Sequence, residues 1–330
     1  MLEIHCSGTP FEIGRHHGSA AREKVLGSIA FYKGLFQSTC AMDWPSVRIE
    51  ASKYTDTFRR IAPRYLDEMR GVADGAGVDL LDIVALNVRT EIVFGLFADK
   101  PQLPTKTDGC TSVALKTPAG SSLLGQNWDW MVEQAPNLLV CYVSQPQTDI
   151  PGFAMVTEGG VIGKIGFNDR GVGVCLNAIR ARGVDKTRLP VHLGLRAALE
   201  SRSRAEAVGR LKASGIAGSA HILVADTESA TGLEFTNVDE PPWLRDSPVR
   251  LTRMHQLLDC AAPPGQEITT QKLVEAFKDQ EGYPCSINRM QTGESENQTV
   301  FNIVMELSKR RAEVRFGRPT DNGELLQLSL

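Results

Sequence analysis

The sequence predicts an α+β fold, and three observations predict it. Residues 1 to about 105 carry helix-start signals and long stretches with apolar residues on a helical face. From Cys110 onward the chain turns into short runs of β-branched and aliphatic residues separated by Gly, Pro, Asn and Asp. Further helical stretches come in blocks between groups of strands, which puts helices and antiparallel sheet in separate layers.

The first strand is expected over Leu2 to Cys6. A helix follows from Thr9, which supplies an N-cap with Pro10 at the first helical position and Glu12 three residues after the cap, a capping box. His16 and His17 are adjacent in it, about 100° apart around the axis, so they make a poor metal pair and are assigned to the helix surface or to capping. A second helical stretch runs from about Ser46 to Asp74, disturbed at Pro63 because proline has no amide for a helix interior. A third begins after Asp79, where Leu80, Leu81, Val84, Leu86 and Val88 lead to Arg89-Thr-Glu91.

Strands are expected over 110 to 116, 122 to 128, 138 to 144, 153 to 158, 161 to 167 and 171 to 177. Gly159-Gly-Val-Ile-Gly-Lys164 resembles a phosphate loop but is one residue short and has Ile165 where Ser or Thr is needed, so it is read as strand. Helices follow near Pro190 to Glu200 and after Ser203, which has Glu206 three residues on as a second capping box. Strands at 219 to 225 and 231 to 236, helices at about 250 to 260 and 269 to 280, and strands at 299 to 306, 311 to 317 and 324 to 329 complete the order. The segment Asp239 to Pro248 reads as a loop from its prolines and charges.

Composition narrows the function. The chain has 330 residues, 42% hydrophobic and 23% charged, enough to bury a large core, and it shows no internal repeat. A net charge of -3 without a basic stripe argues against nucleic acid. Apolar runs such as Leu80 to Val88 end well short of membrane-spanning length. Seven cysteines, no CxxC and no signal-peptide pattern point to free thiols in a reducing, cytoplasmic compartment. The sequon at Asn297-Gln-Thr299 is then unused, and Leu328-Ser-Leu330 departs from a Ser-Lys-Leu peroxisomal ending.

Among the cysteines, Cys141 and Cys175 sit within apolar strand runs and are explained by core packing. Cys110 instead lies at a loop-to-strand boundary behind Gly109. The Gly109-Cys110 junction has the parts for self-cleavage: a glycine free to adopt unusual backbone angles, and a thiol able to attack the preceding carbonyl. Cleavage would leave Cys110 with a free α-amine of reference pKa about 7.7 to 8.0, a base next to the nucleophile. The turn Thr117-Pro-Ala-Gly-Ser121 sets residues whose numbers sum to about 238 or 239 opposite each other, so Cys110 faces Trp128 or Asp129. In Gly125-Gln-Asn-Trp-Asp129 a carboxylate at Asp129 could hold the α-ammonium or orient the thiol, and the amide of Asn127 could polarise a carbonyl. Both side chains could equally satisfy backbone groups at a strand end.

Asp108-Gly-Cys-Thr-Ser112 with Gly125-Gln-Asn-Trp-Asp129 resembles the processing site and paired strand of the isopenicillin N acyltransferase family (acyl-CoA:6-aminopenicillanic acid acyltransferase), a branch of the N-terminal-nucleophile hydrolases. The resemblance extends to Gly8-Thr-Pro-Phe-Glu-Ile-Gly14, Asn87-Val-Arg-Thr-Glu91, Ile162-Gly-Lys-Ile-Gly-Phe-Asn168, Gly232-Leu-Glu-Phe235, Phe301-Asn-Ile-Val304 and Gly317-Arg-Pro319. It implies a four-layer αββα sandwich in one structural domain, cut into an α-subunit, residues 1–109, and a β-subunit, 110–330, that stay together as a heterodimer. It also implies amide chemistry through a thioester on Cys110, with no cofactor, and with a small penicillin-type amide and acyl-CoA as partners.

Carried over by position, Cys110 matches the nucleophile, Gly109 the residue before the cut and Asp129 the aspartate of Asn-Trp-Asp. Ser219 and Ser295 fall where the family has serines that affect processing or acyl transfer. Glu296 stands where the penicillin-forming enzymes have an arginine. The stretch between Phe235 and Arg253 is short and lacks the Thr-Asn-His segment whose asparagine would be an oxyanion donor, a loss worth about 100- to 1000-fold in other enzymes. Two further outcomes therefore stand beside the acyltransferase: an amidohydrolase with little acyl-CoA transfer, and an uncut, non-catalytic relative.

Overall fold

The computed structural model describes the chain except residues 97–108, 119, 180, 182, 237–245, 262–265 and 294. The N-terminal segment comprises β1 (Glu3–Ser7), α1 (Pro10–Ala20), α2 (Arg22–Cys40), α3 (Trp44–Ser52), α4 (Thr55–Ile61), α5 (Pro63–Ala76), α6 (Leu80–Asn87) and a π-helical turn, Glu91–Leu96. The Thr9 capping box is present, with the Glu12 amide 3.4 Å from Thr9 Oγ1 and the Thr9 amide 2.8 Å from Glu12 Oε2. Pro63 is the first residue of α5, where its missing amide costs no intrahelical bond, so the expected disturbance is a boundary between two helices. Helices α1 and α5 touch backbone to backbone. A Cβ on Gly14 would fall 1.9 Å from the Glu68 carbonyl oxygen, and one on Gly71 would fall 2.1 Å from that of Phe11.

Twelve strands make two sheets among the described residues. The remaining elements in chain order are β2 (Thr111–Lys116), β3 (Ser122–Trp130), β4 (Leu138–Ser144), β5 (Phe153–Glu158), β6 (Ile165–Asn168), β7 (Gly173–Ala178), α7 (Val191–Leu199), α8 (Arg204–Ser214), β8 (Ala220–Ala225), β9 (Ala230–Phe235), α9 (Ser247–Ala261), α10 (Thr270–Phe277), β10 (Gln298–Glu306), β11 (Arg311–Phe316) and β12 (Leu325–Ser329). One sheet has the order β1-β4-β5-β6-β7-β8-β9, the other β12-β11-β10-β3-β2. All of these strand pairs are antiparallel except β1 with β4.

The sheets pack face to face through one large core containing Leu124, Trp128, Phe167, Cys175 and Phe301. A second apolar cluster, with Leu123 and Val304 against Leu273 and Phe277, covers the outer face of the five-stranded sheet with α9 and α10. Helices α7 and α8 contact the opposite sheet, giving the four-layer αββα sandwich. Every residue of β3 is buried, because it has a core on both faces. A buried ion cluster ties α7 to α5: Arg196 Nη2 lies 2.7 Å from Glu68 Oε2, and Arg196 Nε lies 2.9 Å from Glu200 Oε1. Among the described residues no helix is long and apolar enough to cross a membrane, and no cluster of three His, Cys, Asp or Glu could hold a metal ion.

Four local expectations need correction. Residues 161–164 are not strand: the Asn87 side chain bonds the Gly160 oxygen at 2.8 Å and the Ile162 amide at 3.0 Å, taking the backbone groups a neighbouring strand would use. His17 is buried rather than on the surface, and its Nε2 accepts the Gly160 amide at 3.1 Å. Burial first, then the charges of Arg196 and His16, pull its pKa to about 4, as an acceptor requires. Glu206 does not close a second capping box; its carboxylate accepts from the Arg202 amide at 2.8 Å. Ser247 and Pro248 open α9, and the preceding loop residues through 245 lie outside the described part.

Candidate active site

The β2–β3 hairpin positions Cys110. Its register pairs Thr111 with Asn127 and Lys116 with Ser122, the spacing expected from the turn, so Cys110 precedes β2 opposite Trp128. Gly109 has φ +151°, a conformation side chains rarely adopt, directly at the peptide bond preceding the thiol. The thiol lies against the main chain of β3, with Sγ 3.3 Å from the Asp129 nitrogen and 3.8 Å from its oxygen.

Alternation along β3 sends Trp128 and Trp130 into the inter-sheet core and Asn127 and Asp129 to the other face. There Asn127 donates to the carbonyls of Phe277 at 3.0 Å and Ile287 at 2.8 Å, and accepts from Asn302 Nδ2 at 2.8 Å. The first two bonds hold the outer helical layer to the sheet. The Asp129 carboxylate accepts from Thr299 Oγ1 at 2.7 Å and lies 3.4 Å from Arg289 Nε.

Arg289 extends this into a buried chain of charge. It donates to Ser295 Oγ at 3.2 Å and pairs with Asp246, which also pairs with Arg250. Arg250 in turn donates from Nε to Thr111 Oγ1 at 3.3 Å, beside Cys110. Ser295 also donates to the Asn297 carbonyl at 2.8 Å, so it orients Arg289. Ser219 is buried just before β8, and its hydroxyl has no hydrogen-bond partner among the described residues. Glu296 is exposed and lines neither of two cavities that meet Cys110 among the described residues.

The larger of those cavities, about 340 Å³, is an open cleft lined by Gly109, Cys110, Asn177, His221, Glu234 and Arg250 together with apolar Ala178, Ile179 and Leu251. Asn177, on β7, bridges the sheets here: its Nδ2 donates to the Cys110 carbonyl at 2.9 Å, and its Oδ1 accepts from Ser112 Oγ at 2.7 Å. Gln126 makes a second bridge, gripping both backbone groups of Leu176 at 2.5 and 3.1 Å. His221 and Glu234 are cross-strand partners; burial lowers the His221 pKa, and Glu234 opposes that shift.

Sequence reasoning missed Asn177, Arg250 and Arg289. Asn177 had one available signal, a polar residue directly after the apolar run Val172 to Leu176. The two arginines had none, because they come from distant loop and helix segments.

Behind the thiol, on the core side, Lys164 Nζ lies 3.6 Å from the centre of the Trp128 ring and pairs with Glu158, which also holds Arg89 at 2.7 Å. Burial pulls the Lys164 pKa down to about 7 against the opposing pull of Glu158. For Glu158 burial acts upward, but Arg89 and Lys164 outweigh it and hold the carboxyl below its usual range.

The sequence has known counterparts. A family model described as acyl-coenzyme A:6-aminopenicillanic acid acyl-transferase matches residues 115–241 and 236–321. The acyl-coenzyme A:6-aminopenicillanic-acid-acyltransferase 40 kDa form of Emericella nidulans is 36% identical over 348 aligned positions, covering 98% of this chain and 95% of the relative. Among solved structures, penicillin V acylase from Agrobacterium tumefaciens aligns with a TM-score of 0.49 at 10% identity, over 68% of this chain and 86% of its own. An N-acylethanolamine-hydrolyzing acid amidase orthologue from Caenorhabditis elegans aligns with a TM-score of 0.45 at 17% identity, over 59% of this chain and 92% of its own. With a near full-length relative at 36% identity and a family match over more than half its residues, the chain belongs to the acyl-coenzyme A:6-aminopenicillanic acid acyltransferase family.

Proposed function

We propose that this enzyme cleaves itself between Gly109 and Cys110 and then uses the N-terminal Cys110 to exchange or remove the acyl group of a small amide. The observation that carries the reading is the placement of Cys110: a thiol against the Asp129 amide, at the floor of an open cleft, next to a glycine in a conformation reserved for glycine. In self-cleavage the Cys110 sulfur adds to the Gly109 carbonyl carbon, the C–N bond breaks, and the nitrogen takes a proton to become the α-amine. Water then adds to the resulting thioester, the C–S bond breaks, and the thiol and a Gly109 carboxylate are released.

In turnover the α-amine takes the thiol proton and the sulfur attacks the substrate amide, giving an acyl-thioester and a free amine. Transfer of that acyl group to another amine, or to water, separates acyltransferase from amidohydrolase. Asn177 is a positioning residue here, since its amide fixes the Cys110 carbonyl. By kinship with the Emericella relative, the proposed substrates are penicillin-type amides with 6-aminopenicillanic acid and acyl-CoA. Exposed Glu234 on the cleft favours a second reading, hydrolysis of uncharged amides over use of an anionic acyl-CoA.

Intact-mass measurement of purified protein tests the first step. Two fragments divided at Gly109-Cys110 are expected, with Cys110→Ala leaving one chain. A soluble, folded wild-type chain that stays whole on long incubation refutes the proposal. Acyl-CoA-dependent formation of a penicillin from 6-aminopenicillanic acid, against release of free acid from neutral amides, then separates transfer from hydrolysis.

A further inference from the structure

The smaller cavity at Cys110 lies on the core side of the thiol, has a volume of about 20 Å³ and is lined by Arg89, Thr90, Gly109, Cys110, Trp128 and Trp130, among others. That volume accommodates one water, which needs roughly 10 to 15 Å³. It is too small for a substrate. Arg89 is 4% exposed and comes from the N-terminal segment, upstream of the proposed cut. Its Nη2 is committed to Glu158 at 2.7 Å and its Nη1 lies 3.4 Å from Thr90 Oγ1, while Nε is buried with no hydrogen-bond partner among the described residues. The guanidinium is held over the Trp130 and Tyr32 rings at 5.0 and 5.1 Å, so it cannot swing to solvent. A buried N–H donor left without an acceptor is costly, and the fold retains one on a residue that lines a cavity shared with the scissile Gly109.

We propose that this cavity holds the water that completes self-cleavage, and that Arg89 stabilises the oxyanion formed when that water adds to the Gly109 thioester. The inference rests on cleavage at Gly109-Cys110. In this step the water oxygen bonds to the Gly109 carbonyl carbon, the carbonyl oxygen carries the negative charge facing Arg89, and collapse breaks the C–S bond. The sulfur leaves with the proton given up by water. The N-terminal segment thus supplies part of the apparatus that severs it, and a preorganised cation in a buried site closed to bulk solvent is the arrangement that makes such stabilisation large.

The test is the cleavage rate of Arg89→Lys, which keeps a cation for Glu158 but cannot reproduce the Nε donor, with folding followed by thermal melting. A native-like melt is expected, with cleavage slowed about 100- to 1000-fold and an accumulating thioester that hydroxylamine cuts. Thr90→Val, which leaves the Arg89–Glu158 pair intact and removes the polar rim of the cavity, is expected to slow cleavage several-fold and serves if Arg89→Lys fails to fold. Wild-type protein that cleaves while both folded variants cleave at the same rate, with no trapped thioester, overturns this inference alone. Wild-type protein that never cleaves overturns the cleavage reading and this inference with it.

Discussion

The Asp129 amide lies 3.3 Å from the Cys110 sulfur, while the Asp129 carboxylate is engaged by Thr299 and Arg289. Main chain and side chain of one residue therefore serve different partners. In Asp129→Asn the amide contact and the Thr299 hydrogen bond persist, but the charge facing Arg289 is gone. Removing one partner of a buried pair costs about 3 to 5 kcal/mol, with the low end expected because Asp246 still neutralises Arg289. Thermal melts should show that loss, and mass spectrometry should show slower cleavage that still proceeds, in contrast to none for Cys110→Ala.

Asn127→Ala should act on stability instead. It abandons the carbonyls of Phe277 and Ile287 and the Asn302 amide, and each buried polar group left unpaired costs about 1 to 3 kcal/mol. Denaturant unfolding should register a loss of several kcal/mol by that rule. Turnover per folded molecule should stay within a few-fold of wild type; a fall of about 100-fold or more with unchanged stability would assign Asn127 to the chemistry.

Glu91 links pH to stability. Burial, opposed by hydrogen bonds from the Val191 amide and its own and by Arg89, raises its pKa from 4.5 to about 7. Its Oε1 accepts the Val191 amide at 2.7 Å, and its Oε2 has no partner among the described residues. A carboxyl whose folded pKa is raised contributes its stability below the unfolded value and loses it as pH rises through the folded value. Wild-type protein should therefore lose roughly 3 kcal/mol relative to Glu91→Gln between pH 4.5 and about 8, at about 1.36 kcal/mol per unit. Melting curves of both proteins across that range check it; parallel curves would count against the assignment.

Charge at the cleft gives a kinetic prediction. Glu234 lines the cleft with Cys110 and Glu296 does not. Glu234→Gln should lower KM for an acyl-CoA more at low salt than at high salt, where screening shortens the reach of charge to about a Debye length. Glu296→Arg should change it less, and a larger effect at Glu296 would mean that the donor approaches from the other side.

The crossing of α1 and α5 supplies a packing prediction. Gly14→Ala places a methyl 1.9 Å from the Glu68 carbonyl oxygen. Neither backbone can yield without parting the helices, so a fall in melting temperature larger than that of an ordinary buried Gly→Ala change is expected. Gly34 is the control: a Cβ there would meet no described atom within 4 Å, so Gly34→Ala should show little change.

Much of the fold was legible because its signals are local. The Thr9 cap, the strands at 138–144 and 153–158, and the hairpin register summing to 238 all follow from neighbouring residues. Two of the four failures, at residues 161–164 and His17, arose because a partner far along the chain had taken over a backbone group: Asn87 bonds Gly160 and Ile162 in one case, and His17 itself takes the Gly160 amide in the other.

The candidate site divides the same way. The sequence by itself determined the Gly109-Cys110 junction and the hairpin that sets Cys110 opposite β3, since each resides in a contiguous run of residues, and the family, since it is carried by short motifs that are each local though spread along the chain. Only the tertiary structure decided that Asn127 and Asp129 turn to the outer face, that Asn177 reaches across from the other sheet, and that Arg89, Arg250 and Arg289 converge on the hairpin from three separate segments. Side-chain charge and hydrogen bonding act through space over a few ångströms. Which residues come within that range is set by how the two sheets and the two helical layers close on one another, and no local pattern in the chain encodes that distance.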